Sequence, residues 1–157
     1  MSSKLDIRLA QPDDRLKLIE VQRRASLAGN DGDVRQQLLD RPEIIDLDPA
    51  MIAANEVFVA QIGDRIVGFA TIITHEGDDA ELEGLFVEPS EWRKGIATAL
   101  VHQIEREAAA WGTNRLHVLA NRNVLGFYEA AGFTIVGEQK TELGPVGLLM
   151  VKPVNPQ

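Results

Sequence analysis

ELEGLFVEPSEWRKGIATALVHQIEREAAAW, residues 81–111, is the stretch on which the fold turns. Leu82 to Val87 is a short apolar run that stops before Pro89. From Gly95 onward Ile96, Leu100, Ile104 and Ala108 recur at helical spacing, joined by Ala97 and Val101, while His102, Gln103, Glu105 and Arg106 fall on other faces. The order is therefore strand, Pro-containing turn, small-residue loop and amphipathic helix, with one stripe to pack on a sheet. The first turn of such a helix presents N–H groups that have no carbonyl partner, at the positive end of the helix dipole, so the connection suits a phosphate or pyrophosphate. The candidate residues are Arg93, Lys94, Gly95, Ile96, Ala97 and Thr98. Gly95 has no Cβ to block close approach, Ala97 has the smallest, and Arg93 and Lys94 add positive charge. Taken alone, Gly95 and Ala97 suit an ordinary strand-to-helix connection equally well.

Working outward, Leu5 to Leu9 alternates as a strand, and Pro12, Asp13 and Asp14 start a helix with Leu18, Val21, Ala25 and Ala28 on one face. Gly29 to Gly32 stops it. Val34 to Leu39 and Pro49 to Ala54 read as two short helical pieces. Glu56 to Ile62 and Arg65 to Thr74 are rich in Val, Ile, Phe and Thr, and Gly63-Asp64 between them is a two-residue hairpin signal. Gly77 to Asp79 turns the chain into a strand from Ala80 to Val87, and after the central helix Arg115 to Leu119 is another strand. Asn121 caps a helix ending at Ala131-Gly132, and Phe133 to Glu138 and Val146 to Val151 close the chain as strands around a Gly144-Pro145 turn. That order predicts one domain over residues 1–157, a mixed α/β sheet with helices on both faces and a parallel crossover from Glu81 to Leu119.

Composition narrows the functions. The 157 residues carry 16 Lys plus Arg against 24 Asp plus Glu, a net of −8, which argues against nucleic acid and anionic membrane and suits a cationic partner such as an amine. The absence of cysteine removes disulfides, thiolate metal sites and a cysteine nucleophile. No run approaches a membrane span and MSSKLDIRLA has no signal-peptide core, so a cytoplasmic protein is expected. The three histidines, His75, His102 and His117, have no ligand spacing, and no metal is expected. Oligomeric state, a homodimer included, is left open.

Two motifs add a family resemblance. FVEPSEWRKGIATALV resembles the acetyl-CoA signature of the GNAT superfamily of N-acetyltransferases, in which Arg or Gln stands three positions before a Gly that has Gly or Ala two after it. Gly95 and Ala97 fit; Trp92 occupies the Arg or Gln position. Downstream, ANRNVLGFYEAAGF is similar to the C-terminal motif of that family: an Asn, a Tyr seven residues on, and a closing Gly-Phe. The resemblance implies a mostly antiparallel sheet with a V-shaped splay between the fourth and fifth strands. It implies that acetyl-CoA inserts its pantetheine arm there, along the main chain of Leu85, Phe86 and Val87. It also implies that Asn121 reaches the cofactor, that Tyr128 protonates the departing thiolate, and that Val34 to Asn55 walls the acceptor pocket.

The residues themselves allow blander roles. Tyr128, the single tyrosine, also reads as a core aromatic with its hydroxyl at the rim, and Asn121 as a plain N-cap. Glu81 and Glu83 lie two apart and so share a strand face. Glu83 is nearer to Leu85 and is the expected base that frees the amine lone pair, through a water; it also reads as a solvated strand-edge carboxylate. Trp92 either stacks on the ligand or covers the turn, and Glu76, Asp78 and Asp79 form a solvated charge run. The function expected is transfer of acetyl from acetyl-CoA to a small-molecule primary amine by direct attack. Its rivals are a non-catalytic acyl-CoA sensor and an acetyltransferase of protein N-termini or lysines.

Overall fold

Apolar spacing of 3.6 residues sets the helices of this chain and β-branched runs set its strands. The computed structural model, which describes residues 4–74, 79–141 and 146–154, contains both. The elements are β1 (Leu5–Leu9), α1 (Arg15–Gly29), α2 (Gly32–Asp40), α3 (Pro49–Ala53), β2 (Val57–Ile62), β3 (Arg65–Thr74) and β4 (Asp79–Val87). Then follow α4 (Ile96–Ala110), β5 (Arg115–Ala120), α5 (Leu125–Ala130), β6 (Thr134–Gln139) and β7 (Gly147–Pro153). Short 3-10 turns stand at Pro12–Asp14, Pro42–Ile44, Pro89–Glu91 and Arg122–Val124. The strands form one seven-stranded sheet in the order β1-β2-β3-β4-β5-β7-β6. The pairs β1–β2, β2–β3, β5–β7 and β6–β7 are antiparallel and β4–β5 is parallel, giving the mixed, mostly antiparallel sheet expected.

Two expectations shift. The helix expected from Asn121 onward begins as the 3-10 turn Arg122–Val124, because the Asn121 side chain accepts from Asn123 N and tightens the first turn, and Val124 has φ −115° and ψ 12°, off the helical basin. Asp79 is the first residue of β4 rather than the end of a turn; the other residues of that expected turn, and Gly144-Pro145, lie outside the described residues. No helix among the described residues is long and apolar enough to cross a membrane.

By packing, the chain divides into two compact units, Met1–Thr71 with Gly84–Gln103, and Ile72–Glu83 with Ile104–Gln157. In the first, β1 runs antiparallel to β2 from Leu5↔Ile62 to Leu9↔Phe58, and β2 to β3 from Ile62↔Arg65 to Val57↔Thr71. Gly63 supplies the positive φ, 62°, at the first position of the tight hairpin turn. Leu18 and Val21 of α1 bury their side chains with Leu47, Ile52, Val59 and Phe69, and the Phe86 ring lies against this cluster, 5.3 Å from that of Phe69. At the start of α1 the Arg8 guanidinium donates to both oxygens of Asp14 (2.8 and 3.1 Å) and holds that carboxyl below its ordinary range. The end of β4 crosses close to Gly68 of β3. A Cβ there would stand 2.8 Å from the Phe86 carbonyl oxygen and 3.3 Å from Val87 Cγ2, and Glu88 N donates to the Val67 carbonyl at 2.8 Å.

In the second unit β4 and β5 pair from Asp79↔Arg115 to Glu81↔His117, and the parallel ladder stops there although both strands run on, as a splay between the fourth and fifth strands requires. β5 pairs along its whole length with β7, from Arg115↔Pro153 to Ala120↔Leu148, and β6 lies on β7 with a register shift between Ile135 and Gly137. Asp79 accepts from Arg115 Nε (3.1 Å) and pairs with His117 Nε2 (3.0 Å) at the head of the short ladder. Burial opposes its ionisation, but these two partners together hold the carboxyl below its ordinary range. Lys152 Nζ joins Glu105 (2.9 Å) to the Ala131 carbonyl (2.7 Å), a cation at the C-terminal end of α5.

The contact at Gly68 yields a prediction. Gly68→Ala forces a methyl against main-chain oxygen and should cost about 1–3 kcal/mol, whereas Gly29→Ala, where a Cβ meets nothing within 4 Å, should be neutral or slightly stabilising. Denaturant unfolding of the two variants checks this; equal midpoints would show that β4 does not lean on β3 there.

Candidate functional site

Between β4 and α4 the chain makes a turn whose parts are pinned from inside the first unit. Trp92 Nε1 donates to the Val87 carbonyl at 2.8 Å, so the indole covers the turn while 43% of the residue stays exposed. Glu91, 8% exposed, accepts from Arg65 Nη2 (2.9 Å) and from Lys94 Nζ (3.3 Å). The Arg65 hydrogen bond, opposed by desolvation and assisted by Lys94, holds the Glu91 carboxyl below its usual range. Lys94 is thus partly neutralised. Arg93 keeps its charge, since among the described residues its side chain has no partner.

Arg93 and Gly95 are both left-handed, with φ 67° and 83°. For a residue with a Cβ that conformation costs about 1–2 kcal/mol, and the anchors on either side of Arg93 sustain it. The Gly95 carbonyl accepts the first helical bond, from Ala99 N at 3.0 Å, so the N–H groups of Ile96, Ala97 and Thr98 have no carbonyl one turn back. Ile96 is buried and Ala97 half-buried, while Gly95 and Thr98 are exposed. A Cβ on Gly95 would meet no protein atom within 4 Å. The glycine is needed for its φ and not for want of room, and the space on its side-chain side is open. Earlier in the same run, Leu85 and Phe86 are half-buried and Val87 is buried. All of the expected anion-site residues and the Leu85–Val87 stretch belong to the first unit.

The second unit holds Glu83, Asn121 and Tyr128. Tyr128 is 6% exposed, packed edge-on against Phe127 and Phe133 with ring centroids at 5.1 and 5.5 Å. Burial pushes its hydroxyl up to about 12. Asn121 Oδ1 accepts from Asn123 N at 2.9 Å, which is its capping role, and leaves the amide NH₂ directed elsewhere. Glu83 is exposed on β4 and Glu81 half-buried. His117 is taken up by Asp79, and His75, with Glu76 and Asp78, lies outside the described residues. Among the described residues no three His, Asp or Glu side chains gather as a metal site would need. Two features had no signal in the sequence: the Arg65–Glu91–Lys94 cluster, which joins residues 26 positions apart, and the bond from Arg24 to Glu88.

Comparison with known proteins identifies the family and the fold. The model of the acetyltransferase (GNAT) family matches residues 24–133. An uncharacterized N-acetyltransferase of Mycobacterium tuberculosis, strain H37Rv, is 34% identical over 91 residues, 56% of this chain and 58% of that protein. The match thus spans a little over half the length of that relative. Among solved structures, the PaiA N-acetyltransferase of Thermoplasma acidophilum in complex with coenzyme A superposes with TM-score 0.75 at 18% identity over 96% of this chain and 99% of that one. The ribosomal-protein-S18-alanine N-acetyltransferase of Escherichia coli does so with TM-score 0.72 at 17% identity over 98% and 96%. Both are likenesses of fold.

Because Tyr128 is the single tyrosine, its ionisation can be read alone by ultraviolet titration. Its folded value is raised, so the stability it contributes is complete below pH about 10, the ordinary phenol value, and is lost as pH rises towards about 12. The folded protein should show no tyrosinate absorbance at pH 10.5; half-ionisation near pH 10 without unfolding would contradict the buried placement.

Proposed function

This chain belongs to the acetyltransferase (GNAT) family, and on that premise we propose that it moves acetyl from acetyl-CoA to a primary amine by direct attack, without an acetyl-enzyme, as a cytoplasmic protein. The observation that carries the proposal is the loop before α4. Its left-handed Arg93 and Gly95 lead into a helix start at which the N–H groups of Ile96, Ala97 and Thr98 have no carbonyl one turn back and the space beside Gly95 is open, inside the matched residues 24–133. Such a helix start receives a diphosphate through its main chain, so the missing Arg or Gln side chain is not needed for that contact. Trp92 instead braces the turn.

In this reading Leu85, Phe86 and Val87 hydrogen-bond the pantetheine arm, and one of their N–H groups polarises the thioester carbonyl, an interaction that strengthens as the oxygen gains charge. Glu83 accepts a proton from the ammonium through a water, which frees the lone pair. The nitrogen–carbon bond forms, the nitrogen gives up its second proton to water, the carbon–sulfur bond breaks, and Tyr128 gives its proton to the departing sulfur and regains one from solvent. Asn121 holds the arm through its amide. The proton step is steeper than a phenol of ordinary pKa would make it. With Tyr128 at about 12 and a thiol at about 8.5 in water, the gap is worth about 5 kcal/mol. A thiolate formed in the same apolar surroundings is raised as well, which narrows the gap.

The reading is tested by free-thiol release from acetyl-CoA across small amines and peptides. Tight coenzyme A binding with no release for any acceptor would make the chain an acyl-CoA sensor. Release with N-terminal or lysine peptides alone would place the acceptor on proteins, the function named for the S18-alanine enzyme that shares this fold. For Tyr128→Phe, kcat should fall about 100-fold with acetyl-CoA affinity little altered. A kcat within about threefold of wild type, far below the general-acid scale, would remove Tyr128 from proton transfer.

A further inference from the structure

A depression of about 530 Å³ opens in the first unit, lined by the C-terminal end of α1, the start of α2 and the Pro89–Glu91 turn. Sites for small molecules run from roughly 300 to 1,000 Å³, so the space suits a compact ligand. Leu27, Ala28 and Pro89 supply apolar wall, and Arg24, Arg35 and Glu88 supply the charges. Their balance is uneven. Arg24 Nε donates to both Glu88 oxygens (2.8 and 3.1 Å) and its Nη1 lies 3.7 Å from Glu20, so the Arg24 guanidinium is fully paired. Arg35 donates one N–H to the Leu27 carbonyl at the end of α1, and among the described residues no carboxylate meets its guanidinium. Among the described residues the lining thus has one guanidinium, that of Arg35, with no carboxylate partner, in a chain of net charge −8. Of the segment Val34 to Asn55, from which pocket walls were expected, Arg35 is the residue that reaches this lining.

Glu88 directly follows Val87, the end of the stretch assigned above to the thioester arm, so the depression borders that stretch. We propose that this depression is the acceptor subsite, and that it selects a small amine bearing a carboxylate, an amino acid or a near relative, with the carboxylate on Arg35 and the amine towards the Val87 end of β4. The inference rests on the acetyl-transfer reading. It differs from the expectation drawn from net charge alone, which calls for any cation: the local field asks for an anionic group on the same molecule. A guanidinium–carboxylate fork supplies both charge and geometry for that group.

The test is calorimetric titration of the full chain, saturated with coenzyme A, with amino acids and with the amine left when each loses its carboxylate. The acid of each pair should bind about 10- to 100-fold more tightly, the scale of one charge-assisted bond. Arg35→Gln removes the charge and gives up the exposed bond to the Leu27 carbonyl; it should erase the difference while leaving coenzyme A affinity unchanged and the thermal midpoint lowered by no more than one exposed hydrogen bond would account for. Equal binding within pairs, no binding of either, or a preference that survives Arg35→Gln would overturn the subsite. So would a loss of coenzyme A affinity in Arg35→Gln, which would assign the charge to the cofactor. Acids that bind in this way and are never acetylated would sink the transfer reading and leave the subsite standing.

Discussion

The hydrogen bond from Trp92 to the Val87 carbonyl, with the clamp of Glu91 between Arg65 and Lys94, fixes the turn on which the rest of the site depends. A left-handed Arg93 is uphill on its own, and a loop held at one end would relax into a conformation with lower backbone energy. Pinned on the β4 side by the indole and on the β3 side by Arg65, the chain has no such freedom, and the next left-handed position falls to glycine. The result is a helix start whose first N–H groups have no carbonyl one turn back, beside a glycine with open space where a side chain would stand. The charge logic has the same source: Glu91, shared with Arg65, partly neutralises Lys94, and among the described residues the Arg93 side chain has no partner.

The same clamp makes the turn sensitive to acid. Glu91 is held below its ordinary range, so the stability it contributes is present above the unfolded carboxylate value of about 4.3 and is lost as pH falls through the lower folded value. Tyr128 works in the other direction, since burial favours its neutral form and its contribution is lost only in strong base. Neither limit intrudes near neutrality. Over that range the phenol keeps its proton and the turn keeps its clamp, which are the two conditions the proposed chemistry asks of the protein.

Much of this was legible in the residues. Ile96, Leu100, Ile104 and Ala108 mark a helix by periodicity alone, and Gly63-Asp64 between two Val- and Ile-rich runs marks a hairpin, because those signals are local. The loop at Gly95 was legible for the same reason. What escaped is long-range. Nothing near Arg65 announces Glu91, and nothing near Gly68 announces the Phe86 carbonyl that needs its missing side chain. Asn121 lies between these cases: its capping role was foreseen, but the cap tightens a 3-10 turn and postpones the helix to Leu125. The alternative roles of Trp92 were likewise undecidable from sequence, since only the fold reveals that Val87 presents its carbonyl to the indole.

The central claim is that the free main chain at the start of α4 receives the cofactor's diphosphate. Amide chemical shifts followed by ¹H–¹⁵N correlation during titration with acetyl-CoA test it most directly. The N–H signals of Gly95, Ile96, Ala97 and Thr98 should move downfield together and saturate with the binding isotherm, as N–H groups at a helix start do when they take a phosphate acceptor. Saturable binding that leaves those four signals in place would put the diphosphate elsewhere and contradict the site.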